Sequence, residues 1–292
     1  MQRNTLFTFC AATVLASTTA LGIVMAKPAS LLASRAWVGE TSTAWHTAAN
    51  WSGNAVPAAG DIVTVDPEAS LNYKGDPVLS GSNGAAGDLR IGSGFTLTVT
   101  GVTLSLDLDV IHDIDGDLFL SNSSSKLEFK TNHATVDGDG AIIGQDNSAE
   151  IRIADDKTLT NEMVIRGKMI ILDADSSGNF VNGSTGQVLA NVAGTLRLQD
   201  LDLSGAGAWK AETNGSAILE FATEDLTGLS GDFTLSHNAT LKFLASITTT
   251  GNFTTNPRCG LVDVDTNANV CFKATGNDFE LCNNQTYSTG CP

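Results

Sequence analysis

The residues in this 292-residue chain best suited to chemistry are two acidic runs. Asp113-Ile114-Asp115-Gly116-Asp117 and Asp137-Gly138-Asp139-Gly140 concentrate carboxylates in short, glycine-punctuated stretches. Calcium takes roughly six to eight oxygen ligands and accepts flexible loops, so Asp113, Asp115, Asp117, Asp137 and Asp139 are the candidate ligands of a calcium ion. Their spacing departs from the EF-hand pattern, and Asp-Gly pairs are also ordinary turn formers. A further run, Asp263-Val264-Asp265, lies near the end of the chain. Catalysis by carboxylates needs a convergent pair. Asp155-Asp156 is adjacent, but strand neighbours face opposite sides, and the sequence around it reads as a turn. His46, His112, His133 and His237 each stand alone with no nucleophile beside them, so a Ser-His-Asp arrangement has no support. They are expected to be solvent-exposed turn or cap residues.

Cysteine is the other reactive type. Cys10 lies in an apolar leader, and Cys259, Cys271, Cys282 and Cys291 crowd the last part of the chain. They form no C-x-x-C pair and have no nearby histidine, which argues against zinc. In an oxidising compartment four such cysteines form two disulfides with three possible connectivities. Nearest-neighbour pairing, Cys259 with Cys271 and Cys282 with Cys291, closes the smallest loops. The leader agrees with export. Arg3 precedes an apolar stretch through Val24, and Val24-Met25-Ala26 offers a cleavage site, so residues 1–26 are expected to be a signal peptide. No later segment has the apolar length of a membrane helix.

The elements that position these groups are short strands. A glycine followed by alternating apolar residues recurs at Gly87, Gly116, Gly167, Gly194 and Gly231. Looser copies start at Gly140 and Gly215. Variable spacing in the twenties is the pattern of a solenoid with unequal turns. A second strand trails the first at Leu97-Thr98-Val99, Leu127-Glu128-Phe129 and Leu241-Lys242-Phe243. Period-two alternation sends Leu97, Val99, Leu127, Phe129, Leu196, Leu198, Phe233, Leu235, Leu241 and Phe243 inward, and Thr98, Glu128 and Lys242 outward. The expected architecture is all-β: a right-handed parallel β-helix with an N-terminal cap and a disulfide-containing C-terminal cap. The divisions are residues 1–26 signal peptide, 27–80 linker and N-terminal cap, 81–255 β-solenoid, and 256–292 C-terminal cap.

The front segment carries the most specific phrase: Trp37-Val38-Gly39, Trp45, Ala49-Asn50-Trp51-Ser52, then Val56-Pro57-Ala58-Ala59-Gly60-Asp61-Ile62-Val63. Over about 30 residues this resembles the opening of secreted bacterial pectin-lyase-like β-helix proteins, including passengers with autotransporter-type β-strand repeats. The resemblance implies a surface or secreted solenoid.

With 16 Lys+Arg against 32 Asp+Glu the net charge is −16. That excess disfavours nucleic acid and anionic lipid as partners. Trp209 is the only tryptophan outside the front segment, and the repeats hold no tyrosine, so stacking platforms for sugars are scarce. The hydrolase phrases of polygalacturonase-like families are missing. The expectation is a secreted or cell-surface non-enzymatic β-solenoid, structural, adhesive or glycan-contacting, whose partner is an extracellular polysaccharide or a cell-surface component. A β-helix polysaccharide lyase or glycoside hydrolase with an unrecognised site is the alternative.

Overall fold

The structure is a computed structural model, and its described residues are 32–67, 72–173, 177–212, 216–223, 226, 228–236, 238–249, 251–255, 261–265, 270–272, 282–283 and 287–288. The proposed signal peptide, His237, Cys259 and Cys291 lie outside them.

Alternating apolar residues build a parallel β-solenoid of about eight coils. Each coil contributes three short strands, one to each of three faces. On the first face nine strands stack in chain order, from Ser34–Ala36 and Ile62–Val65 to Gly228–Leu229. The second and third faces join in one 17-stranded sheet. They join because the strands Ala141–Ile153 and Val164–Asp173 run unbroken round the bend between them. One coil takes from 20 residues, Glu150 to Ile170, to 28, Ser34 to Ile62. The parallel ladder extends beyond residues 81–255 on both sides. Ile62–Val65 pairs with Asp88–Ile91, and Leu261–Val264 pairs with Thr240–Phe243.

All ten inward positions expected from the alternation are buried, at 1% exposure or less. Thr98, Glu128 and Lys242 point out, each half-buried. Stacking puts like beside like: Leu104, Leu127 and Ile151 are successive rungs of one column, and Phe221 lies flat on Phe243, centroids 4.9 Å apart and planes 5° apart. A polar ladder also crosses the core. Asn161 donates to Asn182 Oδ1 at 2.9 Å, and Asn182 donates to the Ala208 carbonyl at 3.1 Å. Both side chains are fully buried, and the amide bonds supply the partners that burial requires.

The recurrent glycine phrase does not mark one fixed point on the coil. Asp88–Ile91 lies on the first face, Asp117–Leu120 on the second and Gly194–Gln199 on the third. The phrase recurs because a close corner before a strand is needed wherever coils stack. A Cβ on Gly140 would sit 1.7 Å from the Gly116 carbonyl oxygen one coil away, and Gly231 meets Gly207 in the same way.

The front motif knits the first coil. Asn50 is buried; its Oδ1 accepts from the Thr41 and Ser42 amides at 3.0 Å, and its Nδ2 donates to Ser42 Oγ and the Ala44 carbonyl at 2.9 Å. Trp51 packs edge-on against Trp37 and Trp45, with centroids 4.9 and 4.7 Å apart. Asp61 accepts from Arg35 and from the Ala58 amide. The tryptophans, Asn50 and Asp61 of the phrase thus each have a packing or hydrogen-bonding task.

Candidate functional site

The first-face strands Ile111–Ile114 and His133–Asp137 bring the two acidic runs together. Asp113 sits beside Asp137 in the ladder, with Arg90 on the other side of Asp113. Glu162 follows Asn161, the residue that lies next to Val136, and so continues the column. Adjacent rungs are about 4.8 Å apart. At the corner where this face turns into the second, Asp113, Asp115, Asp137, Asp139 and Glu162 line one cleft of about 480 Å³, with Val164 and Gln187 on its second-face side. Four of the five expected calcium ligands therefore line one cleft. Asp117 does not line the cleft. The corner at Gly116 carries it onto the next strand, half-buried between Thr96 and Ala141.

Backbone and hydroxyl donors hold the carboxylates. Asp115 accepts from the Asp139 amide at 3.1 Å, Asp137 from the Gly138 amide at 2.8 Å, and Glu162 from Thr185 Oγ1 at 2.6 Å. Among the described residues no three His, Cys, Asp or Glu side chains lie close enough together to hold a metal ion. Burial raises the Asp113 carboxyl above its ordinary range, and the charges of Asp115, Asp137 and Asp88 add to this. Arg90 opposes the shift, but Arg90 is itself bound to Asp88, with Nη2–Oδ2 at 2.7 Å.

Behind this column lies a histidine that the sequence reading misplaced. His112 is fully buried, not an exposed turn residue. It points inward beside Leu89 and Val136, and Nδ1 accepts from the Leu89 amide at 3.3 Å. Its Nε2 has no hydrogen-bond partner, nor has Oδ1 of the buried Asp88. Burial pushes the His112 pKa down to about 4, against a pull from Asp88. His46 and His133 are exposed as expected.

The second face carries a column that no local motif announced. Thr98, Phe119, Ile143, Arg166, Leu189 and Lys210 stack outward in that order, all half-buried. Lys168 stands in the neighbouring column beside Gln145. Among the described residues Arg166, Lys168 and Lys210 have no ion-pair partner; Lys210 donates to Gln187 Oε1 at 3.0 Å. A short excursion between Gln145 and Glu150 breaks the register where this face bends into the third, and its Asn147 accepts from the Thr195 amide at 3.0 Å. Trp209, the candidate sugar platform, is instead fully buried between Phe180 and Phe221. Phe119 is the ring that the second face offers.

On the third face charges alternate in register. Lys126 pairs with Glu150 at 3.0 Å, and Glu220 takes both Arg197 at 2.9 Å and Lys242 at 3.3 Å. Burial would raise Glu150, but hydrogen bonds from Arg152 and Lys126 hold it below the ordinary carboxylate range.

No helix among the described residues is long and apolar enough to cross a membrane. Comparison of the chain with protein-family models, curated proteins and solved structures finds no match.

Proposed function

We propose that the chain is an exported, non-enzymatic right-handed β-solenoid of the pectin-lyase-like type, capped in front by its tryptophan cluster and behind by its cysteine-bearing segment. It serves as a secreted or cell-surface module that contacts a glycan or another surface component through its second face. The observation that carries this reading is the Phe119–Ile143–Arg166–Leu189–Lys210 column. In a chain of net charge −16, unpaired cations beside half-buried apolar groups make one face suited to an extended anionic or amphipathic partner. Arg166 and Lys210 stand two rungs apart, roughly 10 Å, a spacing that an extended polymer can follow. Apolar side chains of this kind cover the carbon face of a sugar while the cations meet carboxylates or sulfates.

The test is binding of the mature protein to immobilised neutral and anionic polysaccharides. Arg166→Glu combined with Lys210→Glu should weaken binding to the anionic polymers at least tenfold, with no change in melting temperature. Unchanged binding would refute the assignment of this face.

One observation favours the enzymatic alternative. Asp113 and Asp137 are close neighbours at a cleft, and burial raises the Asp113 carboxyl above its ordinary range. A general acid beside an ionised partner is the minimum for glycoside hydrolysis. Release of reducing ends from a polysaccharide by the native protein, abolished in Asp113→Asn, would establish that reading in place of the first.

A further inference from the structure

We infer that Cys271 and Cys282 form a disulfide with each other, in place of the nearest-neighbour pairing that loop length alone favours. The inference rests on backbone register. The strand Val270–Phe272 runs antiparallel to Cys282–Asn283, with Val270 opposite Asn283 and Cys271 directly opposite Cys282. Residues directly opposed in an antiparallel ladder have Cα atoms about 4.5 or 5.5 Å apart. A disulfide spans Cα separations of about 4.4–6.8 Å, so both kinds of opposed site fall within its reach. The register is anchored from outside. Val270–Phe272 also pairs in parallel with Ile247–Thr249, placing Cys271 beside Thr248 of the solenoid. A bond at this position would tie the returning strand to one that is already part of the stack.

The chemistry is a two-electron oxidation. Each thiol loses its proton, one sulfur–sulfur bond forms, and the electrons reduce the disulfide of a thiol oxidant to two thiols. In the cell this rests on the exported location proposed above, whereas the geometry does not. The experiment separates the two.

The full chain is refolded with reduced and oxidised glutathione, alkylated, digested with trypsin without reduction, and mapped by mass spectrometry. Trypsin cuts after Arg258 and Lys273, so Cys259 and Cys271 share one peptide, residues 259–273, while Cys282 and Cys291 share residues 274–292. Nearest-neighbour pairing leaves these two peptides separate. The proposed bond joins them; a second cut at aspartate separates Cys259 from Cys271, and a chymotryptic cut after Tyr287 separates Cys282 from Cys291, so that the Cys271–Cys282 link is isolated. Cys259→Ser with Cys291→Ser should keep the link, whereas Cys271→Ser should leave Cys282 open to alkylation. Separate peptides, a Cys271 link to Cys259 or Cys291, or alkylated Cys271 and Cys282 in the native chain would each overturn the pairing. A link that forms in refolding but is missing from protein recovered from the cell would overturn the exported location and leave the pairing standing.

Discussion

Two strands of this solenoid, Ile111–Ile114 on the first face and Ala217–Ala222 on the third, have the same period and the same stacking but opposite electrostatic outcomes. On Ala217–Ala222, Phe221 points inward onto Phe243, and Glu220 points outward between Arg197 and Lys242. The inward ring meets another ring, and the outward carboxylate meets opposite charge on both sides. On Ile111–Ile114, His112 points inward with a ring nitrogen left unpartnered, and Asp113 points outward against Asp137. Parallel stacking at about 4.8 Å amplifies whatever the sequence places in one column. Opposite charges on successive rungs become a ladder of ion pairs, and like charges become a column of repulsion. A stable protein keeps the second arrangement only against a cost, and such places are where function concentrates. The acidic corner opens onto the second face, next to the cationic column. The molecule therefore sets an acidic corner beside a cationic column, although its overall balance is acidic.

The comparison can be broken most severely from the inside. Phe221→Ala should destabilise by about 3–5 kcal/mol in denaturant titrations, because it removes a stacked ring from a core that cannot close over the gap. Ile111→Ala, at a residue 59% exposed on the other strand, should stay within about 0.5 kcal/mol.

Acid should act next, through His112. Its folded pKa lies below the unfolded value, so the unfolded chain takes up the proton first as pH falls. Stability is intact above about pH 6.5 and declines toward a pH of about 4; a shift of this size amounts to about 3 kcal/mol. Asp113 has the opposite sign. Its folded pKa is raised, so its protonation favours the folded state, and that contribution is lost as pH rises. Denaturation of the native protein and of His112→Leu at pH 7, 5.5 and 4.5 checks the assignment. The native protein should weaken with acid more steeply than the variant, and parallel curves would show that His112 is not the titrating group.

Glu220→Gln should cost about 1–2 kcal/mol, because it removes a charge-assisted hydrogen bond from Lys242 and an ion pair with Arg197, partners that are themselves partly solvated. The smallest effect sharpens the contrast. Asp137→Asn should stabilise the protein by roughly 0.5 kcal/mol by relieving the like-charge column. Calcium chloride should raise the melting temperature of the native protein but not of this variant if the corner takes the cation. A destabilised Asp137→Asn would show that the column is held by interactions stronger than the repulsion.

By itself the sequence determined the alternation and therefore the core. Leu97-Thr98-Val99 and its counterparts can bury only one parity, and each strand's local pattern says which. It also determined the front motif, because Trp, Asn and Asp in that order meet their partners within a few dozen residues. His112 was harder to read: Ile111 and Ile114 have opposite parity, so the pattern around it supports either register, and only packing against Leu89 and Val136 chose the inward one. The tertiary structure alone decided which residues share a column. A coil takes 20 to 28 residues, so vertical neighbours depend on the lengths of all the intervening turns, which no local pattern encodes. For that reason Glu162 joined the acidic corner unannounced, Asp117 left it at the Gly116 bend, and Phe119, Arg166 and Lys210, each unremarkable in its own strand, came to stand on one face.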